Sequence, residues 1–445
     1  MVRNHVGLEE LGIPCVSIVQ EGFIADAKST AGAYRFQHPA LAITPHVFTS
    51  LTPPLTRKAV DDIIGEIING LIKPLPESKG NVAERMTTRG PKDDLIEFRG
   101  KDYRECFDRM NESFLDWGWS DGFPLIPPTE EAVGEMLKGT TRSAEETVVE
   151  KFIPGMARGS VKNIAINAVM SGCRPEFLPA VISAIEAMHS PAINLRTVTM
   201  STGSHAPLFI FNGPIVQKLG INSGLCALGP AGPEKLSFAN VVIGRAVRLT
   251  LMNVGNCYPG IMDQDTIGSP TKFSMVLAEN EKANPWTSYH VEKGFKPEES
   301  TVTCFYGTSL LEMRDLESDT AEGLMNGFAR CLTGLGNLSS NMRGIHYRAM
   351  ILMAPDHARI PARDGWTKED MKKYLYHHCA ISAEQYRRSS LRPVEEKWIE
   401  AADSKTMVPL YEKPEHIEII VVGGMAGKSA AYGSGYAAVP YLVKK

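Results

Sequence analysis

The stretch GIPCVSIVQEGF, residues 12–23, followed by LAIT at 41–44, decides how the start of this chain is read. Residues 14–19 are a short β-branched run after Gly-Ile-Pro, which predicts a strand, and a helical segment follows near 21–33. LAIT predicts a second strand. Beyond it, residues 56–72 form an amphipathic helix with Ile63, Ile64, Ile67, Ile68 and Leu71 on its apolar side. The order β-α-β-α with short connections is that of an open parallel sheet. Two strands cannot bury both faces of such a sheet, so this half-domain is incomplete. The missing strands come from the rest of the chain or from another subunit. Upstream, MVRNHVGLEELGIPC reads as the last turn of a helix entering a strand and carries no long apolar stretch of a secretory signal.

Working outward, the expected organisation is a partial α/β domain over 1–75, a linker over 76–100 and a larger mixed α/β domain over 101–445. The linker assignment rests on Pro74, Pro76, Gly80, Gly90, Pro91 and Gly100 among charges. The large domain opens with a helix near 102–117 whose aromatic stripe, Tyr103, Phe107, Phe114 and Trp117, reads as core. Helices are expected near 161–171, 176–189, 239–252, 320–333 and 367–380, and strands at 207–211, 301–306, 349–354 and 417–422. A length of 445 residues suffices for two or three cores. Hydrophobic residues at 43% and charged residues at 22% argue against disorder, and a net charge of −4 argues against nucleic acid or an anionic membrane as the main partner. The eight cysteines are scattered with no CxxC pair, the pattern of reduced thiols in a cytoplasmic protein.

Two motifs are decoys. VGGMAGKS at 422–429 has Val422 where a phosphate-binding Walker loop needs glycine, though Gly423, Gly424, Gly427 and Lys428 could still present amides and a cation to an anion. His377-His378-Cys379 lies on a predicted helix, where adjacent side chains diverge too far to share a metal. Asp356-His357 follows a predicted strand, a place where α/β folds often carry sites.

The densest signal lies between His205 and Gly294, in a run of Gly, Pro and polar residues that a plain core would not need. Arg245 and Arg248, three apart on one helical face, suit a carboxylate or phosphate. Glu279 and Glu281, two apart, would share one face of a strand with Asn280 opposite, and paired carboxylates can divide acid and base roles. Asn222, Ser223, His205 and Lys272 are further candidates for substrate contacts, and Asp263, His205 and His290 for metal ligands. Cys173 precedes a helix start at Pro175 and is followed by Arg174; both features would lower a thiol pKa, which makes it the better candidate for a reactive thiol, with Cys257 second.

At these residues the chain resembles the UGSC-like (seleno)protein family. GLEELGIPCVSIVQEGF and Thr44-Pro45-His46 resemble the segment after that family's Sec/Cys-Gly-Ser-Cys motif. Long members are similar at Asp121-Gly122-Phe123-Pro124, at Ser171-Gly-Cys173-Arg174-Pro175-Glu176, and at Gly220-Ile-Asn222-Ser223. The likeness continues at Ile243-Gly244-Arg245, Ala278-Glu279-Asn280-Glu281 and Asp364-Gly365-Trp366. The resemblance implies thiol- or selenol-based chemistry, with His46 at the edge of the half-sheet. The motif itself would precede Gly12 by a long helix and is not in this sequence. The leading expectation is therefore the large subunit of a hetero-oligomeric redox or C–S/C–N bond-processing enzyme acting on a small anion. A small partner subunit would supply the Cys/Sec motif; the cofactor is otherwise open, with none beyond that motif or a bound metal as the two options. The alternatives are a self-sufficient metal-dependent lyase or hydrolase and a non-catalytic binding subunit.

Overall fold

The computed structural model describes residues 2–34, 36, 38–45, 51–73, 90–91, 95–230, 237–334, 348–388, 397–425, 427–433 and 438–444. His46 and most of the expected linker lie outside the described residues.

The first elements are α1 (Val2–Glu9), β1 (Ser17–Gln20), α2 (Ile24–Ala33), β2 (Leu41–Thr44) and α3 (Pro53–Ile72). β1 and β2 pair in parallel with Ser17 opposite Leu41, and no third strand joins them among the described residues. The Ile43 N–H, on the outer side of β2, donates to the Glu66 carboxylate of α3 at 2.9 Å, which satisfies part of that edge. α3 crosses close to the strands at Gly70, where a Cβ would lie 2.6 Å from Val16. The expected apolar side of α3 is only partly covered. Ile63 is buried, but Ile64, Ile68 and Leu71 are exposed and Ile72 is 71% exposed, because two strands offer too narrow a floor.

The rest of the chain runs α4 (Tyr103–Asp116), α5 (Glu130–Leu137), β3 (Thr147–Phe152), β4 (Ala157–Ser160), α6 (Val161–Ser171), α7 (Leu178–Met188) and α8 (Leu195–Met200). It continues through β5 (Ala206–Asn212), α9 (Ile215–Leu219), α10 (Ala239–Asn253), β6 (Val276–Ala278), α11 (Tyr289–Glu292), β7 (Thr301–Gly307) and β8 (Ser309–Arg314). Next come α12 (Ala321–Gly334), β9 (Ala349–Met353), α13 (Pro355–Arg363), α14 (Lys368–His378), β10 (Ala380–Ser382), α15 (Ala383–Arg388) and α16 (Lys397–Ala401). The last strands are β11 (Met407–Pro409), β12 (Ile417–Val421), β13 (Lys428–Gly433) and β14 (Val439–Leu442).

Two four-stranded mixed sheets form the centre, in the orders β14-β7-β5-β6 and β12-β9-β13-β8. The alternation of side chains along each strand explains how they stack. On β5, Leu208 and Ile210 face the second sheet, where Met350, Leu352, Ile420 and Tyr432 meet them; Phe209 and Phe211 face the other way, toward α6, α7 and α10. On the second sheet Ile351, Met353, Ile419 and Val421 turn outward onto α12 and α14. Both faces of β5, β7, β9 and β12 are thus buried, which is why these strands read as nearly continuous apolar runs. The result is four layers, helix–sheet–sheet–helix. The Tyr432 hydroxyl ties the sheets together, lying 2.8 Å from the Ala206 carbonyl and 2.7 Å from that of Gly307.

Local signals set the helix boundaries. Ser160 and Asn163 form a capping box before α6, Thr367 and Asp370 another before α14, and α6 stops at Gly172 in the left-handed region. The aromatic stripe of α4 is core at Phe114, while Tyr103 on its first turn is exposed.

The half-sheet meets the large body through α2. Arg196 donates to Thr30 Oγ1 at 3.3 Å and to Tyr34 at 3.5 Å, and Asn256 Nδ2 donates to Ser29 Oγ at 3.3 Å. Burial raises the Asp26 carboxyl to about 6, with Arg196 opposing that rise.

Candidate functional site

The residues that the sequence gathers into one cluster separate into two places. β5 and β6 are parallel, and the polar residues lie beyond both of their ends. His205 and Lys272 precede these strands; Asn212 and Glu279 end or follow them. β5 is 7 residues long, so at ~3.3 Å per residue the two groups are roughly 20 Å apart.

At the amino-terminal end lies an open groove of about 970 Å³. Its walls include Trp117, Met252, Tyr258, Ile261 and Phe273, and its floor is Arg248, Asp263, Asp265 and Lys272. Behind the floor is a small inner chamber of about 20 Å³, lined by His205, Cys257 and Tyr306 and sharing Arg248, Asp263 and Lys272 with the groove. α10 supplies Arg248, and the turn after α10 supplies Cys257 and Tyr258. Gly244 lets α10 approach the loop before β6, since a Cβ there would sit 2.2 Å from Ser274 Oγ.

The floor is a charge network. Lys272 Nζ donates to Asp263 at 2.8 and 3.0 Å and lies 2.7 Å from Asp265. Burial would raise the Asp265 carboxyl, but Lys272, the Gly268 N–H at 2.9 Å and the Ser204 hydroxyl at 2.9 Å outweigh it and hold the group below its ordinary range. Arg248 is placed differently. Its side chain is 12% exposed, and its one ion-pair contact among the described residues is Asp263 at 3.5 Å.

Arg245 does not share that role. Its guanidinium donates to both oxygens of Asp121 at 2.8 Å and to the Phe123 and Pro124 carbonyls at 3.1 Å. The expected carboxylate for the arginine pair is thus partly the chain's own, and Arg245 closes the loop that carries Asp121.

At the carboxyl-terminal end, Glu279 and Glu281 converge on Asn212, as the two-residue spacing anticipates. Asn212 Nδ2 donates to Glu279 at 2.5 Å and to Glu281 at 2.9 Å, and the Gly213 N–H donates to Glu281 at 2.8 Å. Glu279 also accepts from Asn284 Nδ2 at 2.8 Å and from the Tyr289 N–H at 2.7 Å. Burial pushes its carboxyl up to about 7, with Lys368, the Tyr289 amide and Asn212 pulling the other way. Both carboxylates border a pocket of about 570 Å³ with Asn222, Ser223 and Asn280. The side chain of Asn222 serves the loop itself, donating to the Leu225 and Cys226 carbonyls and accepting from the Gly224 N–H. Asn280 bridges to the second sheet, its N–H donating to the Val421 carbonyl and its side chain to that of Gly423.

Other expectations change. Cys173 is no activated thiol, because burial pushes it up to about 12 against the Ser171 hydroxyl, and Arg174 instead stacks over Phe238 at 4.8 Å. Burial likewise raises Cys257 to about 12, with Arg248 opposing it. The metal candidates do not come together. His290 lies near Glu281 (3.6 Å), at the other end of β5 from His205, and both oxygens of Asp263 face Lys272. No group of three His, Cys, Asp or Glu placed to hold a metal occurs among the described residues. In the glycine loop, the Gly427 N–H donates to Asp356 and the Gly423 N–H to the Ser223 carbonyl, so these amides serve the fold. Lys428 begins β13 and is also engaged. His357 is clamped between Ser429 Oγ at 2.7 Å and the Asp315 carbonyl at 2.8 Å.

Tyr306, Tyr258 and Asp121 are among the site residues that sequence reasoning did not select. Asp121 and Tyr258 had a visible cue, each standing in a Gly/Pro-rich turn; Tyr306 had none, being one more apolar-looking position on β7.

Fold and site together define a four-layer α/β protein with a charged-floor groove at one end of its inner strands. No protein-family model matches the chain, and no curated protein or solved structure does. No helix among the described residues is long and apolar enough to cross a membrane.

Proposed function

We propose that this chain is the substrate-binding subunit of an enzyme acting on a small organic anion, which the groove holds through Arg248 and Lys272. One observation carries the reading. The Arg248 guanidinium is nearly buried at the floor of the groove of about 970 Å³, yet it has no bidentate carboxylate partner among the described residues. A guanidinium in that setting suits a planar carboxylate or a tetrahedral oxyanion, which would take its unused N–H groups in pairs. The apolar and aromatic walls around the floor suit the carbon part of such a molecule.

The reacting thiol or selenol, on this reading, comes from a small partner subunit seated on the half-sheet. Two features support that. The buried thiols Cys173, Cys257 and Cys379 are pushed up to about 12, so none of them is an available thiolate near neutral pH. The half-sheet also touches the large body next to the groove, since Ser29 bonds Asn256, two residues before Tyr258. C–S or C–N bond chemistry would follow from that thiol, and Arg248 and Lys272 would orient the anion toward it.

The test is calorimetric titration of the purified chain with acetate, glycolate and methanesulfonate at constant ionic strength, alongside Arg248→Met. Saturable binding by the parent chain and its loss in the variant are expected. Failure of all three anions to bind the parent chain, or equal binding by the variant, overturns the reading.

A further inference from the structure

The inner chamber contains a hydroxyl that the fold does not use. Tyr306 is 1% exposed, and its hydroxyl has no hydrogen-bond partner among the described residues. A phenol buried without a partner is costly, and a phenylalanine at this position would fill the same space without that cost. The Tyr432 hydroxyl, by contrast, lies between two carbonyls and serves the fold. Tyr306 lines the chamber instead, together with Cys257, His205 and the inner side of the Arg248-Asp263-Lys272 floor. Both Cys257 and Arg248 are close enough to act electrostatically on its hydroxyl.

A volume of about 20 Å³ holds one water-sized atom group and no more. The chamber therefore cannot take a whole ligand, only one projecting oxygen. The geometry points to Tyr306 as a donor to the bound anion: one carboxylate oxygen lies in the chamber on the Tyr306 hydroxyl, the other stays on the groove side with Lys272, and Arg248 spans the two. The ligand class is then a compact monocarboxylate. A sulfonate or phosphate ester, with a third oxygen to place, fits this floor less well. This inference rests on the anion-binding reading above and adds a specificity residue to it.

The experiment uses acetate and methanesulfonate as probes on the intact chain, with Tyr306→Phe and Arg248→Met measured in parallel by titration and thermal unfolding. Because Tyr306→Phe removes only an unpartnered hydroxyl, the ligand-free variant should melt at the same temperature as the parent or higher. Its affinity for acetate should fall about 10-fold or more, the loss expected when a hydrogen bond to a charged group disappears. The preference for acetate over methanesulfonate should fall with it. Acetate binding that is lost in Arg248→Met but unchanged in Tyr306→Phe overturns the assignment of Tyr306 and leaves the anion groove standing. A parent chain that binds methanesulfonate but not acetate overturns the Tyr306 assignment alone, whereas failure of acetate, glycolate and methanesulfonate alike removes the groove reading and the Tyr306 assignment with it. A marked drop in the melting temperature of ligand-free Tyr306→Phe also counts against the assignment, since it would mean the hydroxyl serves the fold.

Discussion

Replacing Glu279 by glutamine should change how stability depends on pH. In the folded chain burial raises this carboxyl from 4.5 to about 7. Between those values the folded state keeps a proton that the unfolded state has released, so stability must fall as pH rises through the window. The displacement of about 2.5 pH units, at about 1.4 kcal/mol each, sets a ceiling of roughly 3 kcal/mol. The stabilising contribution is complete below pH 4.5 and gone above about 7. Glutamine cannot ionise and so removes the dependence, although its amide meets the donors Asn212, Asn284 and the Tyr289 N–H less well than a carboxylate does. The assay is urea unfolding of both proteins at half-unit steps from pH 5 to 8.5. Relative to the parent, the glutamine form should gain steadily as pH rises, by up to about 3 kcal/mol. A difference between the two that stays flat, or that runs the other way, refutes the argument that desolvation dominates over the three donors and Lys368.

Three further outcomes follow from the geometry. Arg245→Met should cost about 3–5 kcal/mol in unfolding free energy by stranding Asp121, whose side chain is 1% exposed, and adding Asp121→Asn should recover part of the loss. Iodoacetamide at pH 7 followed by peptide mapping should label exposed Cys226 first and leave buried Cys257, Cys304 and Cys379 unmodified until denaturant is added. Gly139→Ala should markedly lower the melting temperature, because the new Cβ would lie 1.8 Å from the Pro175 carbonyl oxygen, a backbone atom that cannot swing aside.

The layers were legible where burial is two-sided and local signals agree. PLFIF, TVTCFY, AMILMA and IEIIVV read as strands because both faces of each are covered, and α10, α12 and α14 carry clear helical periodicity. Among the strands that escaped are β8, β13 and β14, whose mixed or short patterns (SLLEMR, KSAAYG, VPYL) gain their place only from partners far along the chain. Sequence spacing also brought Glu279 and Glu281 together correctly in kind. It could not show that Asn212 is what joins them, or that Lys272 and Glu279, seven residues apart, lie beyond opposite ends of the same strand pair. The Cys173 argument failed for a physical reason: helix ends and nearby arginines lower a thiol pKa only where water or a directed charge reaches the sulfur, and here burial dominates. The role of Tyr306 was invisible because an absent partner is a property of three dimensions.

The bridging of the two sheets has a consequence for synthesis. Thr308 alone separates β7 in one sheet from β8 in the other, and β14 returns to pair with β7 only after the whole second sheet has been made. Until β14 arrives on the ribosome, the outer edge of β7 has no strand against it, and Val439, Tyr441 and Val443 are missing from the packing over α7. A nascent chain in that state offers an open strand edge beside exposed apolar surface, the combination that recruits chaperones or aggregates. A tag or deletion at β14 should therefore harm yield far more than one placed before α1.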